Sequence, residues 1–158
     1  MKSEKVLKAI LVLSLAGAAQ DKPNFNGYWL LDTGKSDFGH FPVPDTQTNV
    51  IEHKGESIKL TQTIKSPHVP GGEASTERHY TTDGKENVNR LGPRDVKSMC
   101  RWAGNKLIIV TKLETPDGTG EIEDSWELTD GGKEMVVLRD FKEPDGGGVQ
   151  KLLFKKQQ

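Results

Sequence analysis

The chain has almost no cysteine, no net charge to speak of and no long hydrophobic run. Cys100 is the single cysteine in 158 residues, so no disulfide can form within the chain and stability has to come from packing. Lys plus Arg number 22 against 23 Asp plus Glu, a formal net charge of -1, which offers no whole-molecule attraction to nucleic acid or an acidic membrane surface. Hydrophobic residues make up 33%, low for a globular domain but enough if they alternate along strands that keep one solvated face. The longest apolar run, Ala9 to Leu15, falls well short of the ~20 residues that span a bilayer.

That run has a role of its own. Lys2, Lys5 and Lys8 precede it and Ala16-Gly17-Ala18 follows, so residues 1–19 read as a secretory signal peptide and the protein as exported, to a periplasm or the medium. Leu15-Ala16-Gly17-Ala18 resembles a lipoprotein box with Ala18 where the lipid-bearing cysteine would stand, so lipid anchoring is not supported. After signal removal no transmembrane anchor is expected, and 25–156 reads as one domain.

What the chain does have is turns. Seventeen Gly and eight Pro gather between apolar segments, marking many short elements and no long helices. Ten strands are expected: 27–32, 48–53, 57–64, 74–81, 86–90, 96–102, 106–114, 121–128, 134–141 and 149–155. In the second half each gap holds a tight-turn pair such as Asp83-Gly84, Gly104-Asn105 or Asp130-Gly131, where Asp, Asn or Gly accepts a positive φ. Sequential hairpins of this kind give an all-β, antiparallel up-and-down meander of about 8–10 strands, which closes most simply into a barrel by pairing its ends. Gly34 to Pro44 carries Pro42 and Pro44 and cannot be a regular helix.

Alternation assigns faces. Ile122, Asp124, Trp126 and Leu128 oppose Glu121, Glu123, Ser125 and Glu127, which makes the first set interior. Ile58, Leu60, Gln62 and Ile64 make a similar inward set. In 134–141 both faces are largely apolar, and Met135, Val137, Arg139 and Phe141 form the more plausible inner one.

Gly27-Tyr28-Trp29 on the first strand, Lys35-Ser36-Asp37-Phe38 after it, Lys97-Ser98, the 102–107 hairpin, Glu127-Leu128-Thr129-Asp130-Gly131 and the terminal Leu153-Phe154-Lys155-Lys156 carry a resemblance. Together they resemble the calycin barrels, the lipocalins and intracellular fatty-acid-binding proteins, over most of the mature chain. The resemblance implies a barrel with an interior ligand. Two departures matter: the fatty-acid-binding branch inserts a helical lid after the first strand, which Gly34 to Pro44 lacks, and it grips a carboxylate with Arg-x-Tyr on the last strand, where Leu152 and Phe154 stand here. Trp126 likewise stands where that branch often carries another anchoring Arg. A free fatty acid is thus a poor first guess.

Chemistry is sparse. His40, His53, His68 and His79 share no ligand spacing, no Cys-x-x-Cys accompanies them, and no nucleophile elbow or phosphate loop occurs, so no metal, cofactor or catalytic residue is expected. Cys100 reads as a small buried hydrophobe. Arg139 and Asp124, on neighbouring strands, are expected to meet diagonally inside. They serve either as a polar anchor in a ligand cavity or as a structural ion pair, with Arg139 lying over Trp29 at the floor as a further structural option; the structural readings are preferred. The leading expectation is a barrel that binds a small apolar or amphipathic ligand through Leu60, Gln62, Tyr80, Ile109, Asp124, Trp126, Val137, Arg139 and Phe154. The rival is a filled barrel that meets a protein partner through rim loops 34–44 and 66–72; an enzyme working inside the barrel is a third and weaker reading.

Overall fold

The computed structural model describes residues 21–144 and 146–158. The signal peptide expected over 1–19 lies outside the described residues. Ten strands follow in order: β1 Gly27–Leu31, β2 Thr46–Lys54, β3 Ser57–Lys65, β4 Glu73–Thr81, β5 Asp83–Leu91, β6 Arg94–Ala103, β7 Lys106–Thr115, β8 Gly118–Thr129, β9 Glu134–Glu143 and β10 Gly146–Gln157. Each overlaps a strand expected from alternation. Between β1 and β2, residues 32–45 form turns and no helix.

All pairings are antiparallel, and the sheet runs β4-β3-β2-β1-β10-β9-β8-β7-β6-β5, so the chain closes by setting β1 against β10. That leaves one gap in the ladder, between β4 and β5. Two asparagines on the inward side of β5 bridge it. Asn89 accepts from the His79 backbone N–H at 2.7 Å and donates to the His79 carbonyl at 2.9 Å, while Asn87 accepts from Thr81 N–H at 2.9 Å. Their side-chain amides copy the bonds a neighbouring strand would have made, so those β4 groups are not left unsatisfied.

One end of the barrel is shut. Phe25 and Trp29 are wholly buried there, and Phe25 packs edge-on to Trp126 at 5.7 Å and stacks on Trp102 at 6.1 Å. The indole N–H of Trp29 donates to the Phe25 carbonyl at 2.9 Å. His53 locks the same segment: its Nδ1 accepts from the Phe25 N–H at 3.1 Å and its Nε2 lies 3.1 Å from the Gly55 carbonyl. Only the tautomer with its proton on Nε2 satisfies both, and burial holds the imidazole below its ordinary pKa, partly opposed by the Gly55 bond. Lys156 Nζ, at 5.4 Å from the Trp29 ring, occupies the cationic position over this tryptophan. Arg139 does not reach it; it lies 6.0 Å from the Phe141 ring instead, because its register places it several residues nearer the other end.

Candidate binding cavity at the barrel mouth

The register fixes the inner surface. Asn49 faces Gln62, Leu60 faces Arg78, Ile58 faces Tyr80, Ile109 faces Asp124, Trp126 faces Val137, and Phe154 faces Met135. All nine nominated ligand residues therefore point inward, and β9 turns Met135, Val137, Arg139 and Phe141 to the interior. Val136 and Leu138 face outward, with Leu138 41% exposed.

Layered along the barrel axis, these side chains make three zones. Above the apolar floor lies a polar belt that includes Asn49, Gln62, Ser98, Asp124 and Gln150, all buried, together with Arg78 and Arg139. Asp124 and Arg139 stand directly opposite across β8 and β9 rather than diagonally. The direct pairing gives a two-bonded ion pair, Nε to Oδ1 at 2.7 Å and Nη2 to Oδ2 at 2.8 Å. Burial opposes the charge on Arg139, but the Asp124 carboxylate more than offsets it and holds the guanidinium charged. Gln62 Nε2 donates to Asn49 at 3.3 Å, and Arg78 Nη2 donates to Gln62 Oε1 at 3.1 Å.

Sequence reasoning passed over Arg78, although alternation puts it on the same face as Tyr80. The two make an Arg-x-Tyr pair on β4. Burial pushes the Tyr80 phenol above its ordinary pKa, with the Arg78 guanidinium beside it pulling the other way. Cys100 is buried and its thiol is pushed up to about 12 by burial, so it is inert packing. Among the described residues no cluster of three or more His, Cys, Asp or Glu is arranged to hold a metal ion.

Space is distributed unevenly. The void in the lower belt, walled by Leu60, Gln62, Trp126, Val137, Arg139 and Phe154, measures only about 10 Å³, the room of one water. A second cavity, about 240 Å³, sits at the mouth. Its walls are Phe38, Pro42 and Pro44 from the β1–β2 loop, Ile64, Val69 from the β3–β4 loop, Phe141 and Leu152; Gln47, Ser66, His68, Arg139 and Gln150 provide its polar groups. Arg139 alone of the nine nominated residues lines it. Six of them line the small void, and Tyr80, Ile109 and Asp124 border neither space.

The 34–44 segment stands where a helical lid would be, and it is docked on β10. Asp37 exchanges two backbone bonds with Lys151, both 2.8 Å, and Ser36 Oγ accepts from Leu153 N–H at 2.9 Å. His40 stacks on Phe41, and Phe41 packs on Phe141 with ring centres 4.4 Å apart. The docking requires a bare backbone below: a Cβ on Gly148 would lie 2.6 Å from His40 Cε1 and 2.9 Å from Phe41.

No family model matches the chain. No curated protein matches it either. Solved structures do. A secretory abundant heat soluble protein from Ramazzottius varieornatus superposes with a TM-score of 0.62 at 13% identity, covering 84% of this chain and 94% of its own. Zebrafish ileal bile acid-binding protein, complexed with cholic acid, gives 0.58 at 20% identity over 84% of this chain and 98% of its own. A fatty acid-binding protein from Drosophila melanogaster brain gives 0.53 at 19% identity over 84% and 99%.

The fold is that of a calycin β-barrel.

Within that fold the present barrel has a packed floor, a polar belt and a small mouth cavity roofed by two irregular loops. The last-strand positions Leu152 and Phe154 are buried in the apolar interior, so they supply no anchor for a carboxylate. No helix among the described residues is long and apolar enough to cross a membrane.

Proposed function

We propose that this is an exported calycin barrel that takes a small amphipathic molecule into its mouth, apolar part against the two loops and polar part against the belt. The observation that carries the reading is the mouth cavity of about 240 Å³, with apolar walls and Gln47, Arg139 and Gln150 among its lining. A cavity of that size and lining suits a small molecule with an apolar body and a polar end. A bile acid-binding protein and a fatty acid-binding protein among the similar folds support an interior ligand in general. Export rests on the lysine-flanked apolar run and small-residue site in residues 1–19.

The test is to fill the cavity without touching the core. Val69, half-buried in the mouth loop, is replaced by Trp, and native mass spectrometry of both proteins as purified is combined with titration of an environment-sensitive dye. The proposal expects the natural protein to carry or bind a small molecule and Val69→Trp to lose it at unchanged melting temperature. Equal dye binding by the two proteins would contradict it.

The near-complete filling of the deeper interior favours a second reading, in which the barrel is a scaffold and the 34–44 and 66–72 loops meet a protein partner. That reading expects no small molecule in the purified protein.

A further inference from the structure

Two glutamines line the mouth cavity, Gln47 on β2 and Gln150 on β10. Both are more than nine-tenths buried, at 6% and 8% exposure. Among the described residues neither side-chain amide makes a hydrogen bond within the protein, whereas Gln62, deeper in the belt, is bonded at both ends, to Asn49 at 3.3 Å and to Arg78 at 3.1 Å. A buried amide without partners is destabilising, and its occurrence at two positions on one cavity points to a group that the cavity receives. Each amide offers an acceptor oxygen and a pair of donor hydrogens. Ser66, buried in the same lining, accepts from the His68 backbone N–H at 3.2 Å through Oγ and keeps its own O–H to donate.

Charge at this cavity is already balanced. Among the described residues Arg139 is the only Lys or Arg in the lining, no Asp or Glu joins it there, and His68 stands exposed at the rim. Arg139 gives two bonds to Asp124, so its free Nη1 can still donate while the carboxylate cancels the charge behind it. An ionised head entering here would give up its hydration and meet no free counter-charge, whichever its sign. We infer that the mouth cavity selects an uncharged head group, one that both donates and accepts hydrogen bonds as a primary amide or a hydroxyl does, read by Gln47 and Gln150. The inference deepens the interior-binding reading and rests on it.

Eight-carbon probes that differ only in the head test this on the full mature chain by calorimetric titration at neutral pH: octanamide, 1-octanol, octanoate and octylamine. Octanamide and octanol are expected to bind at least tenfold more tightly than octanoate and octylamine. Gln47→Met and Gln150→Met keep the length of each side chain without its amide. Each should weaken octanamide severalfold, and the double variant should bring it down to the level of octanoate. The melting temperature should hold or rise, since an unpartnered amide leaves a buried position, whereas loss of a glutamine that serves the fold would lower it. Octanoate or octylamine binding the natural protein as tightly as octanamide would overturn the uncharged-head inference and leave interior binding standing, a comparison that needs no variant. Full octanamide affinity in the double variant would overturn the assignment to the two glutamines. Failure of all the probes to bind would overturn interior binding itself, and the inference with it.

Discussion

The floor and the mouth of this barrel are written in the same two-residue alternation, yet one end is solid and the other has room. At the floor the inward positions go to Phe25, Trp29, Ile51, Ile58 and Met135, all essentially fully buried, and the ring nitrogens of His53 and Trp29 are each fixed by one partner. At the mouth the inward positions are flanked by glycine and by loops bearing proline, whose rigid backbones cannot collapse to fill the gap. Stability and function therefore occupy opposite ends, and a change at one end should leave the other's property largely intact.

The largest effect belongs to the floor. Trp29→Ala removes a wholly buried indole and its bond to Phe25, and should cost about 3–5 kcal/mol in denaturant unfolding. Asp124→Ala, in the belt, leaves the Arg139 guanidinium without its carboxylate. Both side chains keep some exposure, 10% and 20%, so the loss should be about 2–4 kcal/mol, and replacing both residues by Leu should recover much of it.

Acid should act at the floor through His53. His53 is neutral in the fold, held below its ordinary value of 6.5 by burial, and the unfolded chain takes up a proton first as pH falls. Its contribution is fully present above about 6.5 and is lost as pH drops from there through the lower folded value, with a slope of at most ~1.4 kcal/mol per pH unit. His53→Gln should flatten that part of the stability curve, measured by denaturant titrations at stepped pH. The smallest effect is at the seam: Asn89→Ala breaks the two bonds to His79 and should cost about 1–2 kcal/mol, with faster hydrogen exchange at the His79 amide.

The sequence showed the strands because half-buried strands must alternate and tight turns demand Gly, Asn or Asp. Both signals are local, and they placed all ten elements. Faces were legible where one side was charged, as in 121–128. They were ambiguous in β9, where Val136 and Leu138 are apolar yet face outward. Arg78 was within reach, two residues before the nominated Tyr80, but an Arg among Ser, Thr, Glu and His reads as part of a solvated strand until its neighbours Leu60 and Gln62 are known. The mouth cavity was not legible at all. It depends on two loops separated by some 25 positions arriving at one rim, and on Gly148 clearing space for His40 and Phe41, and neither leaves a mark in local composition.

Methyl-resolved NMR of the mature protein during titration with 1-octanol measures directly which end accepts a guest. Shifts confined to Ile64, Val69 and Leu152, with Ile51 and Ile58 unmoved, are what a packed floor and an open mouth predict. Shifts centred on Ile51 and Ile58, or no shifts at saturating 1-octanol and octanamide, would contradict it.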